Sequence, residues 1–437
     1  MSGTRGYDPI VMKPERQSSY FPAIVIFLFF VTPGAALGQA DERLRSLAAS
    51  ESAALLETMK DLVSIESGSR DSEGLDRVAA LVAARLGALG GTVEAVEPRE
   101  VYRMEDTPEK IGKIVRATFA GEGTKKILLL AHMDTVYSRG MSAEQPFRVD
   151  GGRAYGLGIA DDKQGIALII HALTLLKRRN FRDYGTLTVL VNGDEEISSP
   201  ASRTLITRLA AEHDAVFSFE CSYADSDKVA LATSGIGSIT LTVEGRASHS
   251  GMAPEAGVNA LYELAHQVLQ TRDLSDPATG LKLNWTLASA GTARNVIPPS
   301  ARATADVRVL RVADYDAIEG RVRERIQNRL LPEAKVEMKF ERRRPPLEAT
   351  AASRALAAHA ARVYRELGRE LIVDDVPEGG GTDAAFAALE TKAPVLERMG
   401  LQGYGSHSAD AEYVLLDSVA PRLYLIVRLI MDLSQDR

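Results

Sequence analysis

The sequence predicts an α/β protein in which a mostly parallel sheet, covered by helices, is interrupted by a smaller inserted domain. Three observations carry this. From about residue 91 to 235 strand-like runs alternate with helical periodicity, the pattern of strands joined by crossover helices. From about 236 the texture becomes β-α-β-β-α-β, the order of a ferredoxin-like module. After Pro345-Pro346 the helical and αβ texture returns, so the last part of the chain completes the first domain. A chain of 437 residues is too long for one ordinary core. The expected division is 41–235 with 346–437 as one domain and 236–345 as the insert.

The elements follow in order. Residues 41–90 read as helices, and Glu73 to Leu89 places Leu75, Val78, Leu81, Val82 and Leu86 on one face. Lys126–His132 contains the apolar run Ile127 to Ala131 and reads as a buried strand. A helix over Gly165–Arg178, a strand Gly185–Asn192, a helix Ser202–His213 and a strand Ala215–Phe219 continue the alternation. In the insert, Ser238–Glu244 alternates as a strand does and an amphipathic helix lies near Asn259–Thr271. Strands Leu281–Ala290 and Arg302–Arg311, a helix Tyr315–Arg329 and a strand Lys335–Arg342 close it. Ser353–Leu367 and Val419–Leu433 are helices on either side of the Gly379-Gly380-Gly381 loop.

Hydrophobic content of 45% and charged content of 25% are those of a soluble globular chain. The net charge of −7, with Arg342-Arg343-Arg344 as the only dense basic cluster, argues against nucleic acid or an anionic membrane as partner. That cluster reads as a solvated strand end. Residues 1–40 have the order of a secretory signal: Lys13 and Arg16, an apolar stretch Tyr20 to Phe30, then small residues ending Gly38-Gln39-Ala40. The apolar stretch is shorter than the roughly 20 residues of a spanning helix. Cleavage, export to the periplasm or medium, and no stable membrane association afterwards are therefore expected. The single cysteine, Cys221, excludes an intramolecular disulfide.

The chemistry lies in loops after the strands. His132-Met133-Asp134 follows the first buried run. Asp161-Asp162, Glu195-Glu196, Glu220 and His407 each follow a strand-like stretch or sit in a Gly-rich loop, where active sites of open α/β sheets collect. Two neutral imidazoles and three carboxylates suit a pair of zinc ions that share one bridging carboxylate. A further acid beside a ligand is what a metal-assisted hydrolase needs to carry a proton. Of the other histidines, His171, His266, His359 and His213 read as structural.

The strings HMDTVY, GIADDK, SHSGMAPE, NWT, GGGTDAA and RLIMDL, spread from about residue 50 to the end, resemble the co-catalytic di-zinc metallopeptidase family of acetylornithine deacetylase and succinyl-diaminopimelate desuccinylase. Within it they are most similar to the secreted glutamate carboxypeptidases that cleave folates. The resemblance implies two zinc ions bridged by Asp161, with His132 and Glu220 completing one centre and Glu196 and His407 the other. It implies Glu195 as general base, Asp134 as the acceptor that orients His132, and a cis Asp161–Asp162 peptide. His249 would come from the insert of a partner subunit and donate to the oxyanion, so the insert would be a dimerisation domain and the protein a homodimer. Asn295, Arg308 and Arg344 match the set that binds the carboxylates of a C-terminal glutamate, and Gly380, Gly381 and Thr382 would let backbone approach the substrate. Gln164, Ile197-Ser198-Ser199 and Cys221 depart from the family pattern near the pocket. An N-acyl-amino-acid deacylase or dipeptidase of other specificity is the alternative. A binding protein that kept the fold without catalysis is disfavoured by the intact ligand set and base.

Overall fold

The computed structural model describes residues 40–377, 379–408 and 411–436. Apart from Ala40, the leader expected over residues 1–40 lies outside the described residues. No helix among the described residues is long and apolar enough to cross a membrane.

The central sheet has six strands. Their order is Thr92–Val96, Ile114–Ala120, Thr186–Asn192, Lys126–His132, Ala215–Ser218 and Val395–Leu396. The last four pair in parallel, and the first two join the sheet antiparallel. The sheet is thus mixed, not mostly parallel as expected. A parallel pairing needs a crossover long enough to return the chain to the same end, usually a helix. No helix lies between Thr92 and Ala120 or between Ala120 and Lys126, so these strands reverse direction. The apolar run of Lys126–His132 is explained by its place: strands flank it on both sides, and every residue from Ile127 to His132 is buried.

Helices Glu42–Val63, Gln164–Arg178 and Val419–Ser434 pack on one another and contribute to the largest core. The first begins where the Asp41 side chain accepts the Leu44 N–H, satisfying one of the amides left unpaired at a helix start. It buries Leu44, Ala48, Leu55, Met59 and Leu62, a stripe with helical spacing.

A smaller sheet subdomain has its own core, including Ile239, Leu241, Val243, Leu264, Tyr315, Ile318 and Val322. Its strands run in the order Lys282–Ala290, Ser300–Val309, Gly235–Glu244, Lys335–Arg344, all antiparallel, with helices Ala260–Thr271 and Asp314–Arg325 in the expected chain positions. Lys282–Ala290 is an edge strand and largely exposed.

A five-stranded sheet that the sequence did not suggest joins Arg148–Asp150, Arg153–Tyr155, Tyr413–Leu415, Gln402–Tyr404 and Ser222–Tyr223. Segments this short carry too few alternations to show a period. The sheet matters because its strand Gln402–Tyr404 leads directly to His407 and its strand Ser222–Tyr223 follows Glu220.

Candidate metal centre and active site

The carboxyl ends of the parallel strands deliver the site. His132 ends its strand and pairs in register with Asn192, after which Glu195 and Glu196 begin a short 3-10 turn. Glu220 follows Ser218, and Asp161 precedes the helix Gln164–Arg178. The Asp161–Asp162 peptide is cis, as the resemblance implied.

These side chains converge. His132 Nε2 lies 2.9 Å from Asp161 Oδ1 and 3.4 Å from Glu220 Oε1. His407 Nε2 lies 3.3 Å from Asp161 Oδ2 and 3.0 Å from Glu196 Oε2. Asp161 therefore turns one oxygen to each imidazole, the disposition a bridging carboxylate requires. Two groups of side chains can hold a cation, His132 with Glu195 and Glu220, and Asp161 with Glu196 and His407, the ligand atoms of each lying within 4.8 Å of one another. Glu195 thus stands within ligand distance of the first group, where base had been expected. Glu195 Oε1 also lies 2.6 Å from Arg344 Nη1, and a carboxylate engaged by a guanidinium is the poorer donor to a cation.

The donor set fits two cations on charge as well. Burial, then the charge of Asp161, pushes the Glu196 carboxyl up to about 7. Hydrogen bonds to Asp161 and Glu196 push the His407 imidazole up to about 11. Burial alone would lower His132, but Asp134, Asp161 and Glu220 outweigh it and hold it well above the usual range. Burial would raise Asp161, by contrast, but His132 and His407 outweigh it and hold it below the usual carboxylate range. Several carboxylates thus crowd two imidazoles, a donor set whose negative charge bound divalent cations would offset. Glu195 is also pushed well above the ordinary carboxyl value by burial, against the opposing charge of Arg344.

Asp134 does more than orient one ring. His132 Nδ1 is 3.1 Å from its carbonyl oxygen and 3.3 Å from Oδ1. The same carboxylate accepts the N–H groups of Glu195 and Glu196 at 3.0 and 3.1 Å, and the Ser69 hydroxyl at 2.8 Å. One buried carboxylate thereby fixes a candidate ligand and the turn that bears the Glu pair.

The departures from the family pattern have structural roles. Gln164 donates through Nε2 to Asp162 Oδ1 at 2.7 Å and to the Phe219 carbonyl at 2.8 Å, and accepts the Leu401 N–H at 2.6 Å. It ties the segments bearing Asp161, Glu220 and His407. Ser198 and Ser199 both have positive φ, of 70° and 51°, which explains why glycine is usual in that stretch. Cys221 is buried and lines the cavity, and burial pushes its thiol up.

Glu412 was missed. It is fully buried and accepts the N–H groups of Gly158, Ala160 and Asp161 at 2.9, 2.8 and 3.2 Å and the Tyr137 hydroxyl at 2.5 Å. It holds the turn that presents Asp161. Its only signal was an acid five residues after His407, in a chain rich in acids.

The clustered groups open on a cavity of about 230 Å³ lined by Asp161, Glu195, Glu196, Glu220, Gly380, Thr382 and His407, among others. Thr382 caps the helix Asp383–Ala387, its Oγ1 accepting the Ala384 N–H and donating to Glu397 Oε2 at 2.6 Å. A larger cleft of about 720 Å³, lined by Tyr102, Arg203 and Phe386, holds none of the clustered acids and imidazoles.

The remaining expected residues are not brought to the cavity lining within this chain. His249 is exposed on the sheet subdomain, and its Nδ1 accepts the N–H groups of Gly251 and Met252, both at 3.1 Å. That leaves Nε2–H as the donor. Asn295 is exposed. Arg308 pairs with Asp306 at 2.9 Å and donates to the Gly379 carbonyl at 2.9 Å. Arg344 is buried, held by Glu195 and by Asp383 at 3.2 Å.

Fold and site together define a metallohydrolase with two candidate cation centres on an α/β sheet and a separate small sheet subdomain. The model of peptidase family M20/M25/M40 matches residues 128–432, and the chain belongs to that family. It is 44% identical over 424 residues, 97% of this chain and 99% of the relative, to carboxypeptidase G2 of Pseudomonas sp. (strain RS-16). It is 27% identical to succinyl-diaminopimelate desuccinylase of Methylobacterium nodulans, over 80% of this chain and 89% of that one. Among solved structures, an M20-family metallo-carboxypeptidase of Sulfolobus solfataricus superposes with a TM-score of 0.68 at 16% identity, covering 88% of this chain and 99% of that one. At that identity the likeness speaks for the fold alone.

Proposed function

We infer that the protein is a zinc-dependent exopeptidase that releases C-terminal glutamate from folate-like or N-acylglutamate substrates. The observation that carries the reading is the Asp161 carboxylate facing both His132 and His407, with Glu195 grouped with His132 and Glu220, in a chain 44% identical to a carboxypeptidase. His132 and Glu220 would hold one zinc ion, Glu196 and His407 the other, with Asp161 shared. Bound zinc supplies Lewis acidity, which makes water a nucleophile near neutral pH and stabilises charge on the scissile carbonyl oxygen. Glu195 takes the proton of the attacking water and passes it to the leaving nitrogen, which then departs as an amine. Asp134 keeps His132 in one orientation throughout. Asn295, Arg308 and Arg344 act as the substrate's carboxylate contacts, with Gly380 and Thr382 at the cavity wall.

Kinetics with matched N-acyl Glu, Asp, Gln and Leu substrates test the reading. The Glu compound should have the highest kcat/KM, because a carboxylate partner left unpaired in a buried site costs several kcal/mol. Arg308→Ala should erase that preference more than it lowers hydrolysis of the neutral substrates. A preference for Leu or Gln would move the chain to the general acylase reading.

Residues 236–345 are proposed as a ferredoxin-like insert through which two subunits pair, with 41–235 and 346–437 as the catalytic domain. The exposed edge strand Lys282–Ala290 and the exposed Leu261, Tyr262 and Leu287 support this, since a bare edge beside apolar side chains invites an identical partner. His249 would then serve the partner's site, its Nε2–H donating to the oxyanion. Mixing inactive Glu195→Gln with inactive His249→Ala protein should restore part of the activity, because some heterodimers hold one complete site. Failure to complement, with subunit exchange demonstrated, would place His249 in cis or outside the reaction.

Residues 1–40 are proposed as a cleaved export signal. Sequencing the N-terminus of exported protein should find a start after Gly38 or Ala40. Recovery of intact membrane-bound precursor would overturn the proposal.

A further inference from the structure

Among the described residues that line the cavity, Arg398 carries the only guanidinium or ammonium group; every other charged side chain there is a carboxylate or His407. No sequence motif singled Arg398 out. Its backbone has a φ of 62°, in the left-handed region that a residue with a side chain rarely occupies. Such a conformation persists where the surroundings over-determine it, and its concentration at ligand sites makes it a lead to function.

The surroundings here do over-determine it. Glu397 Oε1 accepts the Arg398 N–H at 2.8 Å, and Arg422 Nη1 donates to its carbonyl oxygen at 2.9 Å. Both holding residues are buried. The same Glu397 carboxylate accepts the Thr382 hydroxyl at 2.6 Å, so the Gly-rich loop and Arg398 are tied to one acid. The side chain is placed as firmly. Arg398 Nη1 donates to the Cys221 carbonyl at 2.7 Å, and the guanidinium lies 4.6 Å from the centre of the Tyr223 ring. Cys221 directly follows Glu220, so the cation is held at the wall beside a candidate ligand without being one.

We propose that Arg398 is a specificity-determining residue that receives a carboxylate of the leaving amino acid, competing for the guanidinium against its present partners. The inference rests on the glutamate-releasing reading above. A leaving glutamate has two carboxylates, and a planar fork on a fixed backbone selects one of them by charge and by geometry. The other is left to the residues of the small sheet subdomain.

The test compares zinc-loaded wild type, Arg398→Ala and Arg398→Lys on N-benzoylglutamate, N-benzoylglutamine and the α-amide of N-benzoylglutamate. Metal content and thermal midpoint are measured alongside. Arg398→Ala should raise KM for N-benzoylglutamate by about 10–100-fold, the loss of a hydrogen-bonded charge pair. Its kcat should stay within about threefold. One of the two amides should be unaffected, and which one identifies the carboxylate that Arg398 binds. Arg398→Lys should recover part of the loss, since a point charge replaces the fork. An equal loss on all three substrates would make Arg398 a structural brace and overturn the inference. So would an unchanged KM for N-benzoylglutamate. Should the Ala variant lose its thermal transition, the Lys variant decides by the same comparison. Wild type that fails to cleave N-benzoylglutamate overturns the substrate reading itself. Wild type that cleaves it, with Arg398→Ala retaining the same preference, overturns only the role of Arg398.

Discussion

Glu195→Gln is expected to lower turnover by at least about 100-fold while both metal centres stay loaded. The amide keeps the shape of the side chain but cannot take a proton from water. Its carbonyl oxygen can still accept from Arg344, which lies 2.6 Å from Glu195 Oε1, and its backbone N–H still reaches Asp134. The substitution therefore removes proton transfer and leaves the scaffold. It also resolves the ambiguity of the first cation group, in which Glu195 stands within ligand distance of His132 and Glu220. Elemental analysis of the purified variant is the deciding measurement. A loss of one metal would make Glu195 a ligand, and near-normal turnover with full metal would remove it from the chemistry.

The candidate ligands were legible because each stands at a boundary that physics makes visible. His132 ends a run of apolar residues, and the structure buries that run between strands on both sides. Glu195, Glu196 and Glu220 follow strands whose ends were read to within a residue or two, Thr186–Asn192 and Ala215–Ser218, and Asp161 precedes a helix, Gln164–Arg178, read as closely. Periodicity reports what an element is; it does not report which neighbour it takes. The antiparallel arrival of Thr92–Val96 and Ile114–Ala120 was hidden for that reason, and so was the five-stranded sheet that carries His407. Glu412 shows the same limit in a side chain. It contacts the Gly158–Asp161 turn across more than 250 positions of sequence, and nothing local to it differs from a solvated acid. The resemblance offers Arg344 as a carboxylate contact, and the fold adds what the sequence did not show, that its guanidinium lies against Glu195 and Asp383. Pairing between distant charges is a property of the fold, and a short basic run such as Arg342-Arg343-Arg344 does not reveal which member turns inward.

Asp161→Ala should cost both metals, whereas His407→Ala should cost one centre first. The difference follows from position. Asp161 Oδ1 faces His132 and Oδ2 faces His407, so removal of this carboxylate takes a donor from each group at once. It also removes the negative charge that allows two cations to sit close together. His407 meets only Asp161 and Glu196 of the set, leaving His132 and Glu220 in place. Titrating metal-free protein with zinc reads this directly, with no need of turnover. Wild type should take up two ions, His407→Ala one at comparable affinity, and Asp161→Ala neither at the concentrations that load the wild type. The support beneath Asp161 separates loss of a ligand from collapse of the site. Glu412 accepts the N–H groups of Gly158, Ala160 and Asp161 through backbone contacts that an Ala at 161 leaves intact. The variant should therefore unfold at a midpoint close to that of metal-free wild type. Retention of one tightly bound zinc by Asp161→Ala would show that the two centres do not share this carboxylate.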